Sequence, residues 1–414
     1  MVENNAENIF RAAQVVTCAR MESSQPDDVG CIADGAMVVS GGRVVAVGKA
    51  KDILDRWDAP VTEFPGCCIV PGLVDAHTHP VFAGSRIEEF LQRAQGATYE
   101  KIHAAGGGIN CTVQATRQAS YKDLYDLTRQ RLLLALAHGT TTIEAKSGYG
   151  LEPEEELREL RILHQLREEL PLDMAITFLG AHAVPPEYKN RSMAFLEMLV
   201  EQVFPVLKAE ELAEWIDIFC EAGVFNLEES RYLVESALAW GFKIRAHAEE
   251  FRYMGSAVAF AQMGATSIDH LLALPVCDIP KIKRTRAICT LMPTTSFFLG
   301  HGHYAPGRAL LDAGVPVALG SDFNAGSTMC ISMPMVMALA VLYMKFTPAE
   351  ALRAATINAA RALELDQQVG SLEPGKQADF LVVSVPDYRE WIYCYGTNLV
   401  RSVYKLGSAV SLHP

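Results

Sequence analysis

Alternating strand-like and helix-like stretches through the middle of the chain, with short β-rich stretches at both ends, predict an α/β protein. The expected architecture is a (β/α)8 TIM barrel with a small β-sandwich-like domain built from both chain termini. Three observations carry this. Eight strand candidates recur at 69–75, 140–145, 173–179, 215–220, 242–247, 266–269, 287–291 and 315–321. Helical patterns lie between most of them, at 120–138, 153–169, 192–208, 228–240, 254–263 and 304–313. No Gly-x-Gly-x-x-Gly follows the first strand, which removes one reason to prefer a doubly wound open sheet.

In chain order, the first elements are short strands. Val15-Val16, 36–39 and 43–47 are β-rich, and Gly41-Gly42 between the last two reads as a tight turn. These are too few to bury an apolar face alone. Further strand candidates at 378–383 and 399–405 follow the turn Glu373-Pro374-Gly375-Lys376. Residues 1–66 and 372–414 are therefore expected to build one small domain, with the barrel, 67–371, inserted between them. The barrel opens on an apolar run from Ile69 that is interrupted by Pro71-Gly72 and ends in His77-Thr78-His79. Side chains alternate along a strand, so the two histidines point the same way, roughly 6.5–7 Å apart along the backbone. After the last barrel strand, Thr347-Pro348-Ala349-Glu350 is a capping box with proline at the first helical position, and it begins a long helix over 347–363. The longest apolar run, Met333–Met344, contains Pro334 and is too short to span a bilayer, so it reads as a buried helix.

Composition narrows the function classes. The chain has 414 residues, 50% hydrophobic and 21% charged, as in an ordinary globular enzyme whose core needs no disulfide staples. Its ten cysteines are scattered apart from Cys67-Cys68, and no Cys-x-x-Cys occurs, which favours reduced thiols. Met1-Val2-Glu3-Asn4-Asn5 shows no basic patch followed by an apolar run, so a cytoplasmic protein is expected. A formal net charge of −13 repels phosphate backbones and anionic bilayers, so neither nucleic acid nor membrane is an expected partner. An anionic substrate would need cations supplied locally by the site.

Active-site residues of such barrels sit at the C-terminal ends of the strands. Strand one ends in His77 and His79. The segment Glu144-Ala145-Lys146-Ser147-Gly148-Tyr149-Gly150 is assigned to strand three and Gly180-Ala181-His182 to strand four. Strand five ends in Arg245-Ala246-His247-Ala248-Glu249-Glu250, strand six in Asp269-His270, and strand eight in Gly320-Ser321-Asp322-Phe323-Asn324. Packing alone does not gather polar residues at one edge of apolar strands. A second His-x-His, His301-Gly302-His303, lies among glycines and reads as a loop. His103, His138, His164 and His413 read as ordinary surface or packing histidines.

His-x-His on strand one, histidine on strands five and six, and aspartate on strand eight resemble the amidohydrolase superfamily of metal-dependent hydrolases. Within it, the chain resembles the imidazolonepropionase family. The matching motifs are His77-Thr78-His79-Pro80-Val81-Phe82-Ala83-Gly84-Ser85-Arg86, Gly106-Gly107-Gly108-Ile109 with Thr116-Arg117, Lys146-Ser147-Gly148-Tyr149-Gly150, His247-Ala248-Glu249-Glu250, and Ser321-Asp322-Phe323-Asn324-Ala325-Gly326-Ser327. The tail from Gly370 to Asp379 matches the superfamily's return to its small sheet domain, so the resemblance covers nearly the whole chain. Ala325 stands where the family often has proline, and Ser327 where threonine is also common. Both are conservative for a loop.

The resemblance implies one zinc or iron ion per chain, held by His77, His79, His247 and Asp322. Three imidazoles and a carboxylate physically suit either metal. Binuclear relatives place a carboxylated lysine at the end of strand four, where this reading puts His182, so a single ion is expected. The implied substrate contacts are Arg86, Tyr149, His182, Glu250, Asn324, Gly326 and Ser327. The implied reaction is hydrolytic ring opening of 4-imidazolone-5-propanoate to N-formimidoyl-L-glutamate in histidine degradation. Glu250, three residues after His247, would activate the water; Asp322 would be a ligand and a second proton acceptor; His270 would orient or polarise the attacked group. Arg86 suits the propanoate, because a guanidinium binds a carboxylate bidentately, while its structural alternative is an ion pair with Glu88 or Glu89. Tyr149 and Asn324 are able to donate or accept at ring nitrogens.

Two other readings compete. A mononuclear aminohydrolase of a purine, pyrimidine or triazine ring would share the His247 to Glu250 spacing, but it would release ammonia and give Arg86 no carboxylate to bind. A non-catalytic assembly protein on the same barrel would need neither metal nor Glu250. A homodimer would be ordinary for this kind of barrel.

Overall fold

The computed structural model describes residues 6–19, 28–96, 107–300 and 302–411. The strands near the start are β1 (Asn8–Val16), β2 (Cys31–Ser40), β3 (Arg43–Lys49) and β4 (Val61–Pro71). Next come β5 (Leu73–Asp75), β6 (Thr140–Lys146), β7 (Asp173–Ala181), β8 (Trp215–Cys220), β9 (Lys243–Ala248), β10 (Ser267–His270), β11 (Ile288–Leu291) and β12 (Val317–Leu319). The last are β13 (Phe380–Val383), β14 (Val400–Lys405) and β15 (Ser408–Ala409).

Both ends of the chain share one mixed seven-stranded sheet, in the order β15-β14-β13-β4-β1-β2-β3. Strand β4 joins the two halves: it runs parallel to β1 and antiparallel to β13. Gly41 and Gly42 turn β2 into β3 with φ of 56° and 71°, the left-handed pair that a two-residue hairpin demands. The sheet curls strongly. Phe10 of β1 meets Phe380 of β13 and Tyr404 of β14, with ring centroids 4.8 and 5.1 Å apart.

The second sheet is the barrel, eight strands from β5 to β12 in sequence order, each parallel to the next. Its ring closes at one rim, where Asp322 N–H donates to His77 O (2.9 Å) and His79 N–H to Phe323 O (2.9 Å). Outward-facing Ile143, Ala145, Ile216, Ile218, Ile244 and Ala246 pack into the main core with the helices. Inside, Val74, Ala175, Trp215, Ile288 and Ala318 form a separate apolar plug. The same inner face carries Glu144, Lys146, Asp217, Arg245 and Asp269, all buried.

Several sequence expectations change. The apolar run 69–75 is two strands, not one: β4 belongs to the terminal sheet and only β5 to the barrel, with Gly72 between them. A side chain at Gly72 would start 2.0 Å from Thr141 Oγ1, so the crossing needs glycine. The expected boundary at 66/67 falls inside β4. The strand numbers given to Lys146 and His182 also change, since 140–145 is the second of the eight candidates and 173–179 the third. Lys146 therefore ends the second barrel strand and His182 follows the third; the fourth is β8. The long helix expected at 347–363 is broken into Pro348–Ala354 and Ile357–Ala362, because Ala355 gives its carbonyl to Val74 N–H (2.9 Å) of β5. The helix at 192–208 contains one wide turn, Leu199–Val203, just before Pro205, which has no N–H to offer the regular ladder.

Candidate metal centre

His77 and His79 follow β5, His247 is in β9, His270 ends β10 and Asp322 follows β12. The barrel brings all five to one rim. Donor atoms of His77, His79 and His247 lie within 4.8 Å of one another, as do those of His77, His270 and Asp322. His77 Nε2 is 3.2 Å from His79 Nε2, and Asp322 Oδ1 is 3.6 and 3.4 Å from those two nitrogens. Each Nδ1 of His77 and His247 is already committed: His77 donates to Asp269 Oδ2 (2.6 Å), and His247 meets Asp217 Oδ1 (3.1 Å). That fixes the tautomer with Nε2 free to bind an ion. Burial, reinforced by neighbouring positive charge, holds His77 and His79 well below the ordinary histidine range, so both are neutral donors. Four donors converge, with the Nδ1 atoms of His77 and His247 turned to carboxylates and their Nε2 atoms left to face inward, and that arrangement fits a metal ion.

Glu250 and His270 stand beside these donors, with Oε2 and Nε2 3.7 Å apart. Burial, then the charges of Asp322 and Glu221, push the Glu250 carboxyl well above the ordinary carboxylate range. Burial pushes His270 down to about 3, and neither of its ring nitrogens has a hydrogen-bond partner in the structure. His270 and Asp322 also have positive φ, 77° and 54°, so two site residues are held in backbone conformations that L side chains rarely adopt. His182 stacks on His79 with centroids 5.1 Å apart and donates Nδ1–H to Gly148 O (3.0 Å), which leaves Nε2 for the cavity. Tyr149, buried, lies 5.3 Å from the His182 ring.

These groups line a cavity of about 810 Å³ together with Arg86, Asn324, Gly326 and Ser327. Arg86 pairs with Glu89 (2.6 Å), whose other oxygen accepts Gly108 N–H (2.8 Å), so the ion pair at Arg86 is enclosed and not a surface one. A Cβ at Gly326 would stand 1.9 Å from Arg86 Nη1: the glycine makes room for the guanidinium. The Asn324 amide is spent on its own loop. Its oxygen accepts Gly326 N–H (2.7 Å) and Ser327 N–H (2.8 Å), and its nitrogen donates to Asp322 O and Ser327 Oγ, both 2.6 Å. Ser327 Oγ and Thr295 Oγ1 donate to Asp322 Oδ2 (3.2 and 2.6 Å). The sequence candidates other than His77 thus all line one cavity, but Asn324, Gly326 and Ser327 contact Asp322 and Arg86 through the loop.

Sequence reasoning gave no role to Asp217, Asp269 or Glu144, nor to Glu156 and Glu159. The last two accept the backbone N–H groups of Gly148, Tyr149, Gly150 and Leu151. A signal was present: Ile143-Glu144-Ala145-Lys146, Trp215-Ile216-Asp217-Ile218 and Ile244-Arg245-Ala246-His247 alternate charge with apolar residues at strand period. His301, His103 and His413 lie outside the described residues, and His303 is exposed.

A family model described as the amidohydrolase family matches residues 68–410. The chain is similar to curated relatives named imidazolonepropionase. It is 43% identical over 412 residues to one from Geobacillus kaustophilus, covering 97% of each chain. It is 44% identical over 379 residues to one from Streptococcus sanguinis, covering 91% of this chain and 90% of the relative. Among solved structures it is similar in fold to an adenosine deaminase from Xanthomonas campestris with bound zinc, with a TM-score of 0.66 and 20% identity over 99% of this chain and 93% of that one.

Proposed function

The chain belongs to the amidohydrolase family and, within it, to the imidazolonepropionases, and on that premise we propose which side chains perform each part of its reaction. The reaction is the hydrolytic ring opening of 4-imidazolone-5-propanoate to N-formimidoyl-L-glutamate in histidine catabolism, cleaving a cyclic carbon–nitrogen bond. The observation that carries the assignment is the convergence of His77, His79, His247 and Asp322 beside a cavity that also contains Arg86.

The metal ion is assigned as one zinc or one iron, held by those four residues. When bound, such an ion supplies Lewis acidity and lowers the pKa of a coordinated water. The chain supplies the rest. Glu250, its carboxyl raised by burial, takes a proton from the attacking water and returns it to the ring nitrogen as the bond to the carbonyl carbon breaks. The new carbon–oxygen bond leaves that carbon as a carboxylate. His270, with both ring nitrogens uncommitted, faces the attacked carbonyl. Asp322 is the second acceptor. Arg86 receives the propanoate, sharing its fork with Glu89. Tyr149 and His182 also line the cavity, while Asn324, Gly326 and Ser327 set the positions of Arg86 and Asp322.

The partner is thus a small anionic molecule. A net charge of −13 disfavours nucleic acid, and no helix among the described residues is long and apolar enough to cross a membrane. A cytoplasmic homodimer is the proposed state, with all ten cysteines as free thiols in support of a reducing compartment. The test is to supply imidazolonepropionate and follow its ultraviolet absorbance together with ammonia. Absorbance should fall with no ammonia released. Ammonia in proportion to turnover would identify an aminohydrolase instead.

A further inference from the structure

The lysine of the Lys146-Ser147-Gly148-Tyr149-Gly150 segment has no part in this chemistry, yet it is fully buried inside the barrel, as is Arg245. Lys146 Nζ lies 2.5 Å from Glu144 Oε1 and 2.8 Å from Asp217 Oδ2. Arg245 Nε is 3.5 Å from Glu144 Oε1, and its Nη2 is 3.6 Å from Asp269 Oδ2. Two cations therefore face three carboxylates contributed by β6, β8 and β10. Such a lattice is a poor way to fill a barrel for stability alone. Desolvating charges is costly, and apolar side chains of the same volume often serve as well or better.

Each carboxylate reaches the ligand histidines or the backbone that carries them. Asp269 Oδ2 accepts from His77 Nδ1 (2.6 Å). Asp217 Oδ1 meets His247 Nδ1 (3.1 Å) and accepts His247 N–H (3.2 Å). Glu144 grips Thr78, the residue between the two histidines: its Oε2 accepts Thr78 N–H (3.2 Å) and its carbonyl accepts Thr78 Oγ1 (2.5 Å). The Arg245 guanidinium and the backbone of Lys146 also bind this segment directly. Lys146 N–H donates to Thr78 O (3.0 Å) and Arg245 Nη2 to Ala76 O (2.7 Å).

We propose that Lys146 and Arg245 are positioning residues of the metal centre: by anchoring Asp217, Asp269 and Glu144 from inside the barrel, they lock the tautomer and aim of His77 and His247. The inference rests on the metal-centre reading above. Groups that orient ligand histidines typically contribute roughly 10- to 100-fold in metal affinity.

The test is a double-mutant cycle read by Zn2+ affinity, using competition with a chromophoric chelator, and by the unfolding midpoint of the metal-free protein. Lys146→Met and Asp217→Leu should each weaken Zn2+ binding roughly 10- to 100-fold, and each should lower the midpoint, the first by leaving Asp217 without its cation and the second by leaving Lys146 with Glu144 alone. The double variant replaces the pair with apolar groups. Its midpoint should return towards wild type, while its Zn2+ affinity stays as weak as that of Asp217→Leu alone, because Lys146 acts through Asp217. A filler role would restore both readouts together. The inference is overturned if Lys146→Met binds Zn2+ like wild type or, should that variant not fold, if the double variant does. If wild type itself binds no Zn2+, the metal-centre reading falls and this one with it; if wild type binds and the variants match it, this inference alone falls.

Discussion

Arg86 has a position set by two neighbours that do opposite things. Glu89 holds one edge of its fork at 2.6 Å, and Gly326 keeps the other side empty. Losing one side of a desolvated charged pair costs about 2–5 kcal/mol, which is roughly 30- to 4000-fold. Arg86→Ala should therefore lower kcat/KM for imidazolonepropionate by at least about 30-fold with metal content unchanged. Arg86→Lys should recover part of the loss, because an ammonium cannot make the planar fork. Gly326→Ala should raise KM as well, since the new methyl displaces the guanidinium while leaving Arg86 in the protein. Steady-state kinetics on the three variants would check this, and normal KM in Arg86→Ala would move the carboxylate site to Tyr149 and His182. For Glu250, the glutamine variant keeps the shape and removes the proton acceptor. Its kcat should fall by roughly 10²–10⁴ with the metal retained, and an unchanged kcat would pass the role to Asp322 or His270. The proposed donors could be picked out in the sequence because each stands at the end of an apolar strand. Their supports, Asp217 and Asp269, were not, because nothing in a linear sequence says that two aspartates on separate strands will meet two histidines from others. The loop role of Asn324 also needed coordinates, since its amide is satisfied wholly by residues within three positions of it.

At the scale of elements, the helix Pro153–Glu169 does more than cover the barrel. Glu156 and Glu159, one turn apart on its inner face, bind four successive N–H groups of Gly148 to Leu151 and so fix the loop that presents Tyr149. Both carboxyls are buried. Burial, then the charge of Glu156, pushes Glu159 well above the ordinary carboxylate range, and burial raises Glu156 too. A carboxyl with a folded-state pKa above its unfolded value contributes stability that is complete below the unfolded pKa. That contribution is lost as pH rises through the folded one. Glu159→Gln cannot titrate. The unfolding midpoint of wild type should therefore fall relative to that variant as pH rises from the ordinary glutamate value of about 4.3 into the alkaline range. A constant difference over that range would show that the pair does not take up protons on folding. The helix itself was readable from Pro153 and its apolar spacing. The pairing of its two glutamates with a loop of glycines was not, because glutamates on a helix ordinarily face solvent.

Across the whole molecule, the two ends of the chain meet because β4 needs partners on both edges. The shared sheet was legible from counting: neither terminus has enough strands to stand alone. The division of the run 69–75 between two sheets was not, since a buried strand reads the same in either. Removing residues 372–414 takes away β13 to β15 and strips β4 of its antiparallel partner just before the chain enters the barrel. That truncation should be insoluble, as an unpaired apolar edge pairs with other copies. A soluble, fully active product would contradict the shared sheet's structural role. The same sheet delivers β5, and with it His77 and His79, to the closing seam of the barrel, where His77 O accepts Asp322 N–H. Terminal sheet, barrel closure and metal donors are thus consecutive along about a dozen residues, and the account turns on the one site they build. Its most direct test is to titrate metal-free protein with zinc or iron while measuring turnover of imidazolonepropionate. Activity should rise with added metal and saturate at one ion per chain, and Asp322→Ala should show no such rise. Turnover without any metal, or saturation only at two ions per chain, would contradict a single centre held by His77, His79, His247 and Asp322.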